Sequence, residues 1–125
     1  MKQIIATDKA PAAIGPYSQA VEANGMIFVS GQLPIDPATG AFPEGIEEQT
    51  RQSLTNGKAI LEKAGLGMDA VLKTTVFLSD MNNFAAMNGV YAQFFPEGGY
   101  PARSAVQVAR LPKDALVEIE LIAAR

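Results

Sequence analysis

The stretch YSQAVEANGMIFVSGQ, residues 17–32, decides the fold. At its centre is Asn24-Gly25, a dipeptide that readily supplies the two positive φ angles of a type I′ turn. Residues 17–23 and 26–32 therefore read as the arms of a β-hairpin. The second arm is apolar without alternation at Met26, Ile27, Phe28 and Val29. A strand apolar on both faces has to be buried on both.

Working outward, a short strand is expected over residues 2–6, ahead of the hairpin. After it, Pro34, Asp36-Pro37, Thr39-Gly40 and Pro43 mark residues 33–45 as a loop inside one domain. Residues 46–64 carry Ile46, Thr50, Ser53, Leu54, Gly57, Ile60, Leu61 and Ala64 at the helical period. Glu47 and Glu48 suit the start of that helix, and Gly65 suits its stop. Gly57 lies on the apolar face, where only close approach to a sheet justifies a helix-interior glycine. Residues 71–78 are β-branched and apolar, a strand. A second helix begins at Asn82 or Asn83 and runs to about Phe95, with Phe84, Met87, Tyr91, Phe94 and Phe95 as its core face. The last strands are expected over 104–108 and 116–123, joined through Leu111-Pro112-Lys113-Asp114.

The order β-β-β-α-β-α-β-β places the chain in the α+β class, with a mixed sheet of about six strands and two helices on one face. Two helices cover only one face of such a sheet. The residues left over include Val76, Phe77, Leu78, Leu121 and Ile122, so the second face is expected to meet another copy of the chain.

Composition narrows the chemistry. The 125 residues fit one domain, 1–125, and include no Cys, His or Trp. That excludes thiolate nucleophiles, disulfides, a Ser-His-Asp triad and an imidazole base, and it removes zinc's two preferred ligand types. The net charge of −3 opposes nucleic-acid binding. No apolar run approaches the ~20 residues of a membrane span, and MKQIIATDKAPAA is no signal peptide, so the expected location is the cytoplasm.

What remains is carboxylate, guanidinium, hydroxyl and water. Arg103, in Tyr100-Pro101-Ala102-Arg103-Ser104 at the mouth of a strand, can fork onto a carboxylate or phosphate; the plainer reading is a surface arginine paired with an acid. Glu118 and Glu120 share one face of the last strand, in register with Leu116 and Ile122. Partial burial there would raise a glutamate toward general acid–base use, whereas a solvated face would not. Tyr17 either covers a pocket or is core. Ser30-Gly31-Gln32 either lets a ligand approach the backbone or marks a bulge. Asn88, beside the apolar stripe of the second helix, either orients a ligand or bridges a loop carbonyl.

Several separate motifs, in order and over essentially the whole chain, resemble the reactive intermediate deaminases, the Rid or YjgF-like family. They are Ala13-Ile14-Gly15-Pro16-Tyr17-Ser18-Gln19-Ala20, Val29-Ser30-Gly31-Gln32, Arg51-Gln52-Ser53-Leu54, Lys73-Thr74-Thr75-Val76-Phe77, Pro101-Ala102-Arg103-Ser104-Ala105-Val106, Leu111-Pro112 and Val117-Glu118-Ile119. The resemblance implies a chorismate-mutase-like α+β fold. It also implies a homotrimer with a central barrel of sheets and ligand pockets between subunits. The implied activity is hydrolysis of 2-imino acids and their enamine tautomers, 2-aminoacrylate and 2-aminocrotonate, to 2-oxo acids and ammonia. Pyridoxal-phosphate-dependent serine and threonine dehydratases release these substrates, and no cofactor or metal is implied.

Carried over position by position, Arg103 binds the substrate carboxylate and Glu118 holds the attacking water. Tyr17, from the neighbouring chain, shapes the pocket, and Ser30, Gly31 and Asn88 complete it. Ala105 is a further substrate-binding position, through its backbone; it stands where many members have Cys, which removes any thiol-dependent role there. Two other roles attach to relatives: a non-catalytic small-ligand-binding or holdase trimer, and a ribonuclease or translation inhibitor. Arg103 and Glu118 together argue against the first; the acidic charge and absent His argue against the second.

Overall fold

A computed structural model describes residues 1–125. Its elements follow as β1 (Gln3–Ile5), β2 (Ala20–Ala23), β3 (Met26–Gln32), α1 (Ile46–Lys63), β4 (Val71–Leu78), α2 (Phe84–Tyr91), β5 (Ala102–Gln107) and β6 (Val117–Ala124). The hairpin turns as its sequence dictates, with φ of 53° at Asn24 and 77° at Gly25. The six strands form one mixed sheet in the order β1-β2-β3-β6-β4-β5, antiparallel except for the parallel pair β4–β5.

Strand alternation divides this sheet into two unlike faces. Val117, Ile119, Leu121 and Ala123 of β6 are buried with Ile27 and Val29 of β3 and Val76 and Leu78 of β4. This is the helix-covered face, to which α1 contributes Leu54, Ile60 and Leu61 and α2 contributes Met87 and Tyr91. Gly57 is the point of closest approach: a Cβ built on it would lie 2.6 Å from Leu121 Cδ1. The opposite face has no helix. Across it, Ile4, Val21, Phe28 and Ile122 run in register over four strands, and Phe77 and Val106 pair further along. Phe28 is 46% exposed and Val106 43%.

Three boundaries differ from those expected. The first hairpin arm begins at Ala20 rather than Tyr17. Gln19 O still accepts from Ser30 N at 2.9 Å, but around residues 17–19 side chains replace regular pairing: Gln19 Nε2 donates to the carbonyls of Thr7, Ala10 and Pro11, and Ser30 Oγ donates to Ser18 O at 2.6 Å. The second helix keeps α-geometry for eight residues only, because short 3₁₀ turns precede and follow it. Its approach is capped by Asp80, whose carboxylate accepts from Asn82 N, rather than by Asn82 or Asn83. β5 begins at Ala102, two residues early, because parallel pairing with β4 starts at Lys73. No helix is long and apolar enough to cross a membrane.

Candidate active site

Arg103 is the second residue of β5, on the edge of the sheet. It pairs with Thr74 of β4, which pairs with Leu121 of β6, so its side chain leaves toward the helices. There it meets α2. Nη1 donates to Asn88 Oδ1 at 2.6 Å, and Cζ stands 5.4 Å from the Phe84 ring centroid and 4.8 Å from that of Tyr91. No carboxylate comes within ion-pair distance, so the ordinary ion-paired arginine is not what the fold builds. The cleft at this point is lined by Asn88, Tyr91, Ala92, Tyr100, Pro101 and Arg103. Its chemistry is one hydrogen-bonded guanidinium among mainly apolar walls.

Glu118 stands in a second cleft. It pairs with Phe77, on the sheet face without helices. Burial raises its pKa above the usual glutamate range, and the like charge of Glu120 on the same face raises it further. Two residues of β3, Ser30 and Gly31, oppose the single residue Glu120 of β6 between the pairs Val29–Leu121 and Gln32–Ile119. At this β-bulge Gly31 lies directly against Glu118. A Cβ on Gly31 would lie 3.0 Å from Glu118 Cδ and 3.1 Å from Oε2. Glycine here leaves the carboxylate its place. Tyr17, Lys113, Ile14 and Ile35 complete the wall. Tyr17 is 55% exposed, so it covers the cleft and is not core.

The expected residues therefore fall into two groups. Glu118, Tyr17, Ser30 and Gly31 come together on one face; Arg103 and Asn88 come together on the other. Within one chain, the sheet itself separates Arg103 from Glu118. Ser30 differs from expectation in part, since its hydroxyl hydrogen is engaged by Ser18 O. Ala105 lines neither cleft; two residues beyond Arg103 it faces the same way and packs against the core.

Phe84 and Tyr91 were expected only as core, yet both lie against the guanidinium. Their spacing with Asn88 (84, 88, 91) was the available signal. Lys113 was assigned to a connection. It adopts φ 57°, as does Asp114, and this left-handed pair turns the connection so that Lys113 joins the cleft wall.

Comparison with known proteins shows what the chain as a whole is similar to. Residues 7–125 match the sequence model of a family described as endoribonuclease L-PSP. A RutC family protein of Haemophilus influenzae is 58% identical, covering 100% of this chain and 98% of its own. A Salmonella typhimurium protein named 2-iminobutanoate/2-iminopropanoate deaminase is 55% identical, covering 100% and 99%. Among solved structures, E. coli TdcF with bound serine superposes with a TM-score of 0.93 at 52% identity, covering 98% of each chain.

Proposed function

The chain belongs to the endoribonuclease L-PSP family, which includes the reactive intermediate deaminases, and on that premise we propose that it hydrolyses small 2-imino acids and their enamine tautomers to 2-oxo acids and ammonia. The observation that carries this reading is a guanidinium fixed in a mainly apolar cleft together with a desolvated glutamate, Arg103 and Glu118. The first recognises a carboxylate, and the second activates water. The serine bound to the E. coli relative supports a small carboxylate-bearing ligand.

The site is composite. Arg103 and Glu118 lie on opposite faces of one sheet, so they converge only when the clefts of two protomers meet. The apolar row of exposed Ile4 and Phe28 and half-buried Val21 and Ile122 supplies a surface for such an assembly, which we take to be a homotrimer. In it, the Arg103 half of each site comes from one protomer, and the Glu118, Tyr17 and Gly31 half from its neighbour.

Chemically the demands are modest. Arg103 takes the substrate carboxylate and places the imine carbon beside a water held by Glu118. The water oxygen adds to the carbon of the protonated imine while Glu118 accepts one water proton, giving a neutral carbinolamine. Glu118 then returns that proton to nitrogen, the C–N bond breaks as ammonia leaves, and the remaining hydroxyl gives its proton to Glu118 as it becomes the 2-oxo group. Pyridoxal-phosphate-dependent dehydration of serine and threonine is the reaction class that supplies such imines.

The test couples the protein to a threonine dehydratase and follows 2-oxobutanoate. Wild type accelerates its formation, and Arg103→Ala loses roughly 10²-fold in kcat/KM, the worth of a charge-assisted bidentate contact. No acceleration by wild type, or full acceleration by Arg103→Ala, contradicts the reading.

A further inference from the structure

Arg103 lies across a face of α2 built from three residues. Phe84, Asn88 and Tyr91 stand at i, i+4 and i+7, one side of a helix. The two rings attend the guanidinium, and Asn88 takes one of the two Nη1 hydrogens, so the fork formed by Nε and Nη2 keeps both of its hydrogens unclaimed. Tyr91 is itself held from behind. It is 5% exposed, its hydroxyl lies 2.7 Å from Thr74 Oγ1, and its ring meets Phe95 at a centroid distance of 4.8 Å. Thr74 is also the β4 residue paired with Arg103, so backbone and side chain of this arginine are referenced to one point of the sheet.

We propose that Phe84, Asn88 and Tyr91 form a positioning frame that selects the edge of Arg103 offered to substrate, making the site discriminate planar carboxylates from carboxamides. A free arginine side chain must be ordered when it binds, and it presents any of its edges. A framed one holds the Nε–Nη2 fork in place, and its two parallel hydrogens match a carboxylate and meet only one acceptor oxygen on a carboxamide. Tyr91 and Phe84 act through Arg103, so they are positioning residues. The inference rests on the reading of Arg103 as the carboxylate site.

The experiment measures calorimetric binding of 2-oxobutanoate and 2-oxobutanamide to wild type, Phe84→Leu, Tyr91→Leu and Tyr91→Phe. ¹⁵N spectra follow rotation about the Arg103 Cζ–Nη bonds, and the dehydratase-coupled assay runs beside them. Wild type is expected to prefer the acid. Phe84→Leu and Tyr91→Leu are expected to lose at least tenfold of that preference, with Arg103 Nη resonances averaging, KM rising and kcat nearly kept. Tyr91→Phe, which keeps the ring, restores both signatures. Because Tyr91→Leu can fail to fold, Phe84→Leu at its partly buried position carries the same test.

An unchanged preference in folded Phe84→Leu overturns the frame while wild-type deamination leaves the reading of function standing. A frame-dependent preference without deamination supports the frame and overturns that reading. A wild type that binds neither compound overturns both.

Discussion

At the scale of the residue, the site depends on what surrounds Glu118. The role proposed for it, accepting a proton from water, requires the carboxylate form, and both burial and Glu120 disfavour that form. Activity should therefore fall, as pH is lowered, at a higher pH than an ordinary glutamate would dictate. Glu120→Gln removes one of the two causes, so Glu118 titrates lower and the acid limb of the pH–rate profile should move to lower pH. A limb that stays put or moves upward contradicts this. Gly31 is the second dependence. Gly31→Ala places a methyl where the Glu118 carboxylate lies, at 3.0–3.2 Å from its atoms, so the carboxylate must move. A shift of a few tenths of an ångström should lower kcat/KM by up to roughly tenfold with little change in the urea midpoint; wild-type kinetics would remove Gly31 from this role. Glu118 and Glu120 were legible from the two-residue period of a strand. The bulge at Ser30-Gly31 was legible only as one of two alternatives, because glycine serves ligand approach and bulges alike, and the structure shows the bulge.

Among the elements, α1 and α2 repay comparison. The face of α1 was readable almost residue by residue, since Thr50, Ser53, Leu54, Gly57, Ile60 and Leu61 are all buried. Gly57→Ala tests why glycine is kept there. The alanine gains about 1 kcal/mol of helix propensity, but its methyl overlaps Leu121, and overpacking costs about 1–3 kcal/mol. A net loss of about 1 kcal/mol is expected by urea unfolding, and Leu121→Val in the same chain should recover part of it. A more stable Gly57→Ala would show that the sheet tolerates a wider gap. The face of α2 was only half legible. Phe84 and Tyr91 fit a core stripe by period, but which of them also meets Arg103 depends on how α2 crosses the edge strand β5. That crossing is set by packing between elements far apart in sequence. The early start of residues 17–19 as strand failed for a similar reason: the side chains of Gln19 and Ser30 capture backbone carbonyls, and no periodicity records such bonds.

For the whole molecule, the decisive feature is that one sheet carries half of the proposed site on each face. The apolar strands pointed to a second copy of the chain from the outset, and the apolar row across Ile4, Val21, Phe28 and Ile122 is where that expectation falls on the fold. The separation of Arg103 from Glu118 was not readable beforehand, because it follows from the parallel register of β5 on β4 and the antiparallel register of β6. It makes the account directly testable by complementation. Arg103→Ala and Glu118→Ala are each expected to be inactive alone. Co-expressed in equal amounts with different tags, they should form hybrids of about three times 13.2 kDa, in which about one third of the sites draw an intact Arg103 from one protomer and an intact Glu118 from another. The measurement is dehydratase-coupled 2-oxobutanoate formation by the purified hybrids. About a third of wild-type activity is predicted; hybrids of the right mass that are no more active than either variant alone would contradict a site shared between protomers.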